Sequence, residues 1–244
     1  MRLLASNRFE QNWLYAGNSE NPELLNVILN NMGENVTGAD NQQGSPLLTQ
    51  CVSDDPSETT RQTPSTKEIR AYLQGALHDA SLNKRKRYRF TQKGKEWLLV
   101  IKDLFQKLGY NSWIYREGKN RDVYALETLA EFLDFNFDPM SLKTSGEKSA
   151  YIRGFFDAEG GIPRKDSNRF YIQLVQKDKV KIGKLKRVLY QLGIATGEIH
   201  NPSVRVDPNY WRIFISTKSH MQFAKMIWSW HPRKQEIFYR RMMI

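Results

Sequence analysis

The sequence predicts an α+β protein built from two similar αββαββα halves, and three observations carry that expectation. The first is a repeated segment. YLQGALHDASL at Tyr72–Leu82 is echoed by YIRGFFDAEGG at Tyr151–Gly161, and both copies open on Ala-Tyr, carry Gly three residues after the Tyr and end in an acid followed by small residues. The second is spacing: Gln92 to Gly109 and Gln176 to Gly193 are both 17 residues, and Phe132 to Lys143 and Phe223 to Lys234 are both 11. The third is that helical and alternating apolar patterns follow each other in the same order in each half.

Taken in order, Ser65-Thr66-Lys67-Glu68 reads as a capping box opening a helix that runs to about Asp79. RYRFTQ (Arg87–Gln92) alternates as a strand should, and Trp97, Leu98, Ile101, Leu104, Phe105 and Leu108 mark one helix face that ends at Gly109. YNSWIYRE and RDVYAL read as strands with Gly118 as the turn, and a helix over about Glu127–Leu133 closes the half. The second half repeats the plan: a helix over 147–159, a strand Arg169–Gln176, a helix with Ile182, Leu185, Leu189 and Leu192 on one face, strands near 196–200 and 209–215, and a helix near 217–228. The halves are thus 67–146 and 147–244, related by pseudo-twofold symmetry.

Residues 1–66 differ. They are rich in Asn, Gln, Ser and Thr, show no apolar periodicity over about 38–66, and read as a disordered or loosely attached extension in which Pro22–Met32 could form one short amphipathic helix. They carry three basic and eight acidic residues, so the formal net charge of +11 conceals −5 in the extension and +16 in the remainder. A folded region that basic is a footprint for a polyanion, most simply nucleic acid, although a basic enzyme could share it. The one cysteine, Cys51, excludes a disulfide framework and a Cys-based zinc site. No apolar run is long enough to span a membrane, and the N-terminus lacks the apolar core of a signal peptide. A cytoplasmic location, or wherever the host genome lies, is the simple expectation.

The two motif copies with the duplicated topology and basic charge resemble the LAGLIDADG homing endonucleases in their single-chain, two-motif form, over about residues 67–240. That resemblance implies a central pair of motif helices flanked by antiparallel, saddle-shaped sheets that sit over DNA. Gly154 and Ala158 lie four apart on one helical face and permit close backbone approach, with Gly75 their counterpart in the first copy. The family's metal ligand is the last acid of the motif helix, which is Glu159, while Asp157 caps or orients the helix end. In the first copy, counting from Ala71-Tyr72 puts Ala80 at the ligand position. Counting back from the following strand aligns Asp79 with Glu159 instead, and Asp79 is the preferred ligand. His78 stands where the family usually has a small residue, and His200, His220 and His231 show no metal-ligand spacing.

The resemblance further implies Mg²⁺, or another divalent cation, held by Asp79 and Glu159. It implies Gln92 and Gln176 ordering the attacking solvent and Lys143 and Lys234 near the phosphate. Strand alternation assigns Arg85, Arg87 and Arg89, and then Arg169, Tyr171 and Gln173, to the DNA face, with Arg116, Arg121 and Arg212 as further contacts. In the helix from Lys177 to Arg187, Lys179, Lys181, Lys184 and Lys186 could hold phosphates or simply face solvent. Because the two faces differ, the expected target is a long, asymmetric duplex cut on both strands by a monomer, encoded in a mobile intron. Competing readings are a cleavage-deficient RNA splicing maturase that binds intron RNA, a DNA-binding regulator, and a nickase with an impaired Asp79 site. An intein is not expected, because the chain ends Met-Met-Ile.

Overall fold

The computed structural model describes residues 63–83 and 86–242. Arg85, the suggested helix over 22–32 and nearly all of the acidic extension lie outside the described residues. Helix α1 (Thr66–Ala76) opens with the capping box read from the sequence: Ser65 Oγ accepts from the Glu68 amide at 3.3 Å, and the Glu68 carboxylate accepts from the Ser65 amide at 2.8 Å. A 3-10 turn, Leu77–Asp79, follows, then strands β1 (Ala80–Leu82) and β2 (Tyr88–Lys93), helix α2 (Glu96–Lys107), and strands β3 (Ser112–Arg116) and β4 (Val123–Thr128). The second motif helix, α3 (Ser145–Glu159), begins earlier than the apolar pattern suggests, because Thr144 and Glu147 form a second capping box. Beyond it come β5 (Gly160–Gly161), β6 (Gln173–Gln176), α4 (Lys179–Gln191), β7 (Trp211–Phe214), α5 (His220–Met226) and α6 (Pro232–Met242).

The strands form two antiparallel sheets, ordered β1-β2-β4-β3 and β5-β6-β7. Gly109, Gly118 and Gly193 have positive φ, as their positions after α2, between β3 and β4, and after α4 require.

Three expected elements take a different form. Glu127–Leu133 is not a helix. Glu127 and Thr128 extend β4, paired to Arg89 and Tyr88 on one side and to Trp113 and Ser112 on the other, so the sheet claims their backbone bonds. The strand placed over Arg169–Gln176 begins only at Gln173, and the strand near 196–200 reduces to single bridges at Thr196 and His200. Without those pairings the second sheet has three strands where the first has four.

The two motif helices run side by side and parallel. A β-carbon on Gly75 would overlap the Tyr151 carbonyl and one on Gly154 the Tyr72 carbonyl, so each glycine lets the opposite backbone approach. Tyr72, Leu73, Ile152 and Phe155 are almost wholly buried here, and one apolar core runs through both halves. Ala158 is partly buried against it.

Gly154→Ala is expected to cost about 1–3 kcal/mol of stability, because backbone rather than a flexible side chain meets the new methyl. Urea unfolding of the variant measures it, and an unchanged midpoint would mean that the helices are not in backbone contact.

Candidate active site

Parallel helices bring their C-terminal ends together, and each ends in an acid: Glu159 closes α3 and Asp79 closes the 3-10 turn after α1. The packing of Tyr72 on Gly154 and Tyr151 on Gly75 matches the helices at a spacing of 79 residues. The following strands start at Ala80 and Gly160, a spacing of 80. Both registers weighed from the sequence therefore apply, each to a different part of the motif. The 3-10 turn reconciles them, since three residues at about 2.0 Å rise cover the same ~6 Å as four at 1.5 Å. Asp79 thus sits at the helix end, and Ala80 is already in the sheet opposite Phe90.

Asp79 lies in the field of Glu159. Burial, followed by the charge of Glu159, pushes Asp79 up to about 8, while Gln92 and Lys234 oppose the rise. Burial pushes Glu159 up to about 7, against Lys234 and Lys177. Both residues keep part of their surface open to solvent. The buried Lys234 ammonium is lowered to about 8 by desolvation, against the pull of Asp157, Glu159 and Asp79. Several acids thus share one buried ammonium, and an added cation would relieve their repulsion. Among the described residues no three His, Cys, Asp or Glu side chains form a metal-binding group, so a closed zinc-type cage is absent. Two carboxylates at one spot suit a hard cation that takes its remaining ligands from water and phosphate.

Lys234 reaches this end from the first turn of α6. Its ammonium donates to the carbonyls of Phe156, Asp157 (3.0 Å) and Gly160 (2.8 Å), three acceptors for its three protons. These include carbonyls that the end of α3 leaves without helical partners, so Lys234 closes the helix end as well as countering the acids. Lys143 does not join it, contrary to expectation. It precedes the N-cap of α3, so a 15-residue helix, about 22 Å long, separates it from Glu159. The equal spacing from Phe132 and Phe223 misleads because the chain after the first half must start the second motif helix, whereas after the second half it turns back as α6. Asp157 is also not a helix cap. Wholly buried, it accepts from Tyr72 Oη (2.7 Å), Ser229 Oγ and the Trp230 amide (2.8 Å), and Trp97 donates to Tyr72 in turn (2.9 Å). It ties both helices to the loop before α6.

The two glutamines end corresponding strands but meet different partners. Gln92 Nε2 donates to Asp79 Oδ2 at 2.6 Å. Gln176 Nε2 lies 3.1 Å from His78 Nδ1, and the other ring nitrogen of His78 is 2.8 Å from Tyr151 Oη. Lys177 bears on Glu159 and was not singled out from the sequence, although a Gln-Lys pair ends both strands and could have signalled it. Tyr210 is a second residue in the field of Glu159 that sequence reading passed over.

The basic face is less open than alternation suggested. Arg87 pairs with Glu127 at 3.3 Å and lies over Trp113, and Arg89 pairs with Glu117 at 2.8 Å. Glu127 is only 6% exposed and also accepts from Asn83 and Tyr115, so an acid organises the centre of that face. Its position opposite Arg89 follows from strand pairing, which single-strand alternation does not reveal. Arg116 and Arg121 are exposed around the Gly118 turn, joined by a bond from Arg116 Nε to the Arg121 carbonyl. In the second half Arg169 and Tyr171 are exposed ahead of β6, Gln173 packs over Gly161, and Arg212 bonds His200 at 3.1 Å above Phe214. The lysines of α4 are engaged: Lys181 with the Phe135 carbonyl, Lys184 with Asp138, Lys186 with Glu198 and Lys179 over Trp211.

Asp79 gives a pH signature in the absence of metal. In the fold its carboxyl is neutral below about 8, whereas unfolded it ionises near 3.8. Its contribution is fully present below the unfolded value, is lost as pH rises through the interval, and is gone above about 8. Asp79→Asn stays neutral throughout. With a chelator present it should match wild type near pH 4 and exceed it by on the order of 1–3 kcal/mol at pH 8–9 in urea unfolding. A difference that does not change with pH would contradict this electrostatic account.

Solved structures of other proteins share this fold. Residues 146–227 match the model of the LAGLIDADG-like domain. No curated protein matches the chain by sequence. Among solved structures, I-DmoI in complex with DNA and Mn is 24% identical, covering 67% of this chain and 98% of that one at a TM-score of 0.51. I-DmoI with DNA and Ca covers 72% and 99%, at 22% identity and a TM-score of 0.53. Full-length DUF199/WhiA from Thermatoga maritima is 16% identical, covering 74% of this chain and 62% of that one at a TM-score of 0.54. With its paired motif helices and antiparallel sheets, the chain has the LAGLIDADG fold, and the family match falls on its second motif helix and the elements that follow it.

Proposed function

We propose that the protein is a site-specific DNA endonuclease that hydrolyses one phosphodiester in each strand of a long, asymmetric target with a divalent metal. The observation that carries this reading is the meeting of Asp79 and Glu159, one from each half, at the shared end of two parallel helices. Asp79 and Glu159 would hold the metal, with Mg²⁺ the first candidate. When bound, such a cation neutralises charge at the scissile phosphate and makes water a better nucleophile. Gln92, already on Asp79, orients solvent at the first site. Lys177 is placed to meet a phosphate beside Glu159, a role that Lys234, with its protons on carbonyls, does not fill.

Arg87, Arg89, Arg116 and Arg121 from the first half, and Arg169, Tyr171, Gln173 and Arg212 from the second, supply unlike groove-facing surfaces. That inequality supports an asymmetric site. Both acids belong to one chain, so a monomer suffices. Solved relatives of this fold were obtained with DNA and with Mn or Ca, and I-DmoI is itself a homing endonuclease, which supports an origin in a mobile intron. The chain would act wherever the host genome lies. A second reading, a DNA-binding protein without cleavage, is favoured by one observation: Gln176 is bound to His78 and not to an acid. WhiA shares the fold at low identity.

Duplex DNA spanning the intron's insertion site, made by joining the sequences on either side of the intron, is incubated with the protein and Mg²⁺ and decides between them. The nuclease reading expects both strands to be cut, and Asp79→Asn or Glu159→Gln to lower the rate at least a hundredfold, of the order seen when a key electrostatic group is lost. Binding without cutting by the wild type would establish the second reading.

A further inference from the structure

Gln92 and Gln176 end equivalent strands, yet only one of them touches an acid. The side chain of Gln176 is held elsewhere. Its Oε1 accepts from the amides of Lys177 (2.7 Å) and Asp178 (3.4 Å), which leaves its NH₂ facing His78 Nδ1. His78 Nδ1 is therefore the acceptor, and its Nε2–H donates to Tyr151 Oη. The ring is further held edge-on by Phe155, with centroids 4.8 Å apart.

The same place in the other half is filled differently. Tyr72 meets Asp157, while Tyr151 meets His78. Asp157 is satisfied by Ser229 and Trp230 from the loop before α6. His78 takes Gln176 as its remaining partner. An imidazole where the other motif carries a carboxylate thus creates a second anchor point for Gln176.

We propose that His78 is a positioning residue that makes the two cutting sites unequal, by holding Gln176 away from the Glu159 site while Gln92 remains on Asp79. This rests on the nuclease reading. The strand served by Glu159 lacks an amide that orders solvent and is cut more slowly, so nicked DNA accumulates before the double-strand break. His78→Ala frees the NH₂ of Gln176 to turn toward Glu159 and accelerates the slow strand. His78→Gln offers an amide oxygen to the Gln176 NH₂ and preserves the inequality.

The test uses the full chain, Mg²⁺ and the target duplex labelled separately on each strand. The wild type is expected to cut the two strands at rates differing by on the order of tenfold or more, as loss of one well-placed donor would produce. His78→Ala is expected to bring them within about twofold, and adding Gln176→Ala to restore the difference through the coupling of the pair. A readout independent of cleavage is the ¹⁵N NMR spectrum of the metal-free protein. Nδ1 of His78 should be unprotonated, and the Gln176 side-chain amide should shift in His78→Ala but far less in His78→Gln. Equal strand rates in the wild type, or a protonated Nδ1, overturn this inference alone. If the wild type cuts neither strand, the nuclease reading falls and takes the inference with it.

Discussion

The close parallel packing of two helices is the constraint on which the rest depends. Gly75 and Gly154 allow each backbone to lie against the carbonyls of the other, and a side chain at either position would force the helices apart. Because the helices are parallel, their C-terminal ends coincide, and the last acid of each arrives at one place. Both sheets hang from these ends, since β1 and β5 begin on the residues immediately after Asp79 and Glu159. Separation of the helices would therefore disperse the acids and the sheets together.

A helix C-terminus is a poor place for carboxylates, because the dipole there is negative and carbonyls lack partners. The structure offsets that cost with Lys234, whose ammonium satisfies three carbonyls at the end of α3 and lies in the field of Asp79, Asp157 and Glu159. Among the described residues no corresponding lysine closes the end of the first motif, and Lys143 is at the far end of α3. Asp79 depends on Gln92 instead. The two halves thus reach similar geometry with different chemistry, and this inequality extends to His78 and Asp157.

Much of this was legible in the sequence, for physical reasons. Helical and strand periodicities located α2, α4, β2, β3 and β4, because burial enforces them over long runs, whereas the three-residue β1 is too short to show a period. The Ser65–Glu68 box and the glycines after α2 and α4 are local chemistry that needs no tertiary information. The choice of Asp79 over Ala80 came from counting back from the strand. The compensating 3-10 turn could not be read, because its three residues look helical in isolation. Glu127 was misread because a short segment with helical propensity was captured by strands on both sides. The diversion of Gln176 to His78 joins residues 98 apart in sequence, and nothing local to either announces it.

The central claim is that Asp79 and Glu159 both ligate divalent metal at the shared helix end despite the shortened first motif. An anomalous difference map of the protein bound to its target duplex in Mn²⁺ tests it most directly. The account predicts metal within about 2.0–2.4 Å of carboxylate oxygens from both Asp79 and Glu159, a hard-cation coordination distance. Metal bound by Glu159 alone, with Asp79 turned away from it, would contradict the account.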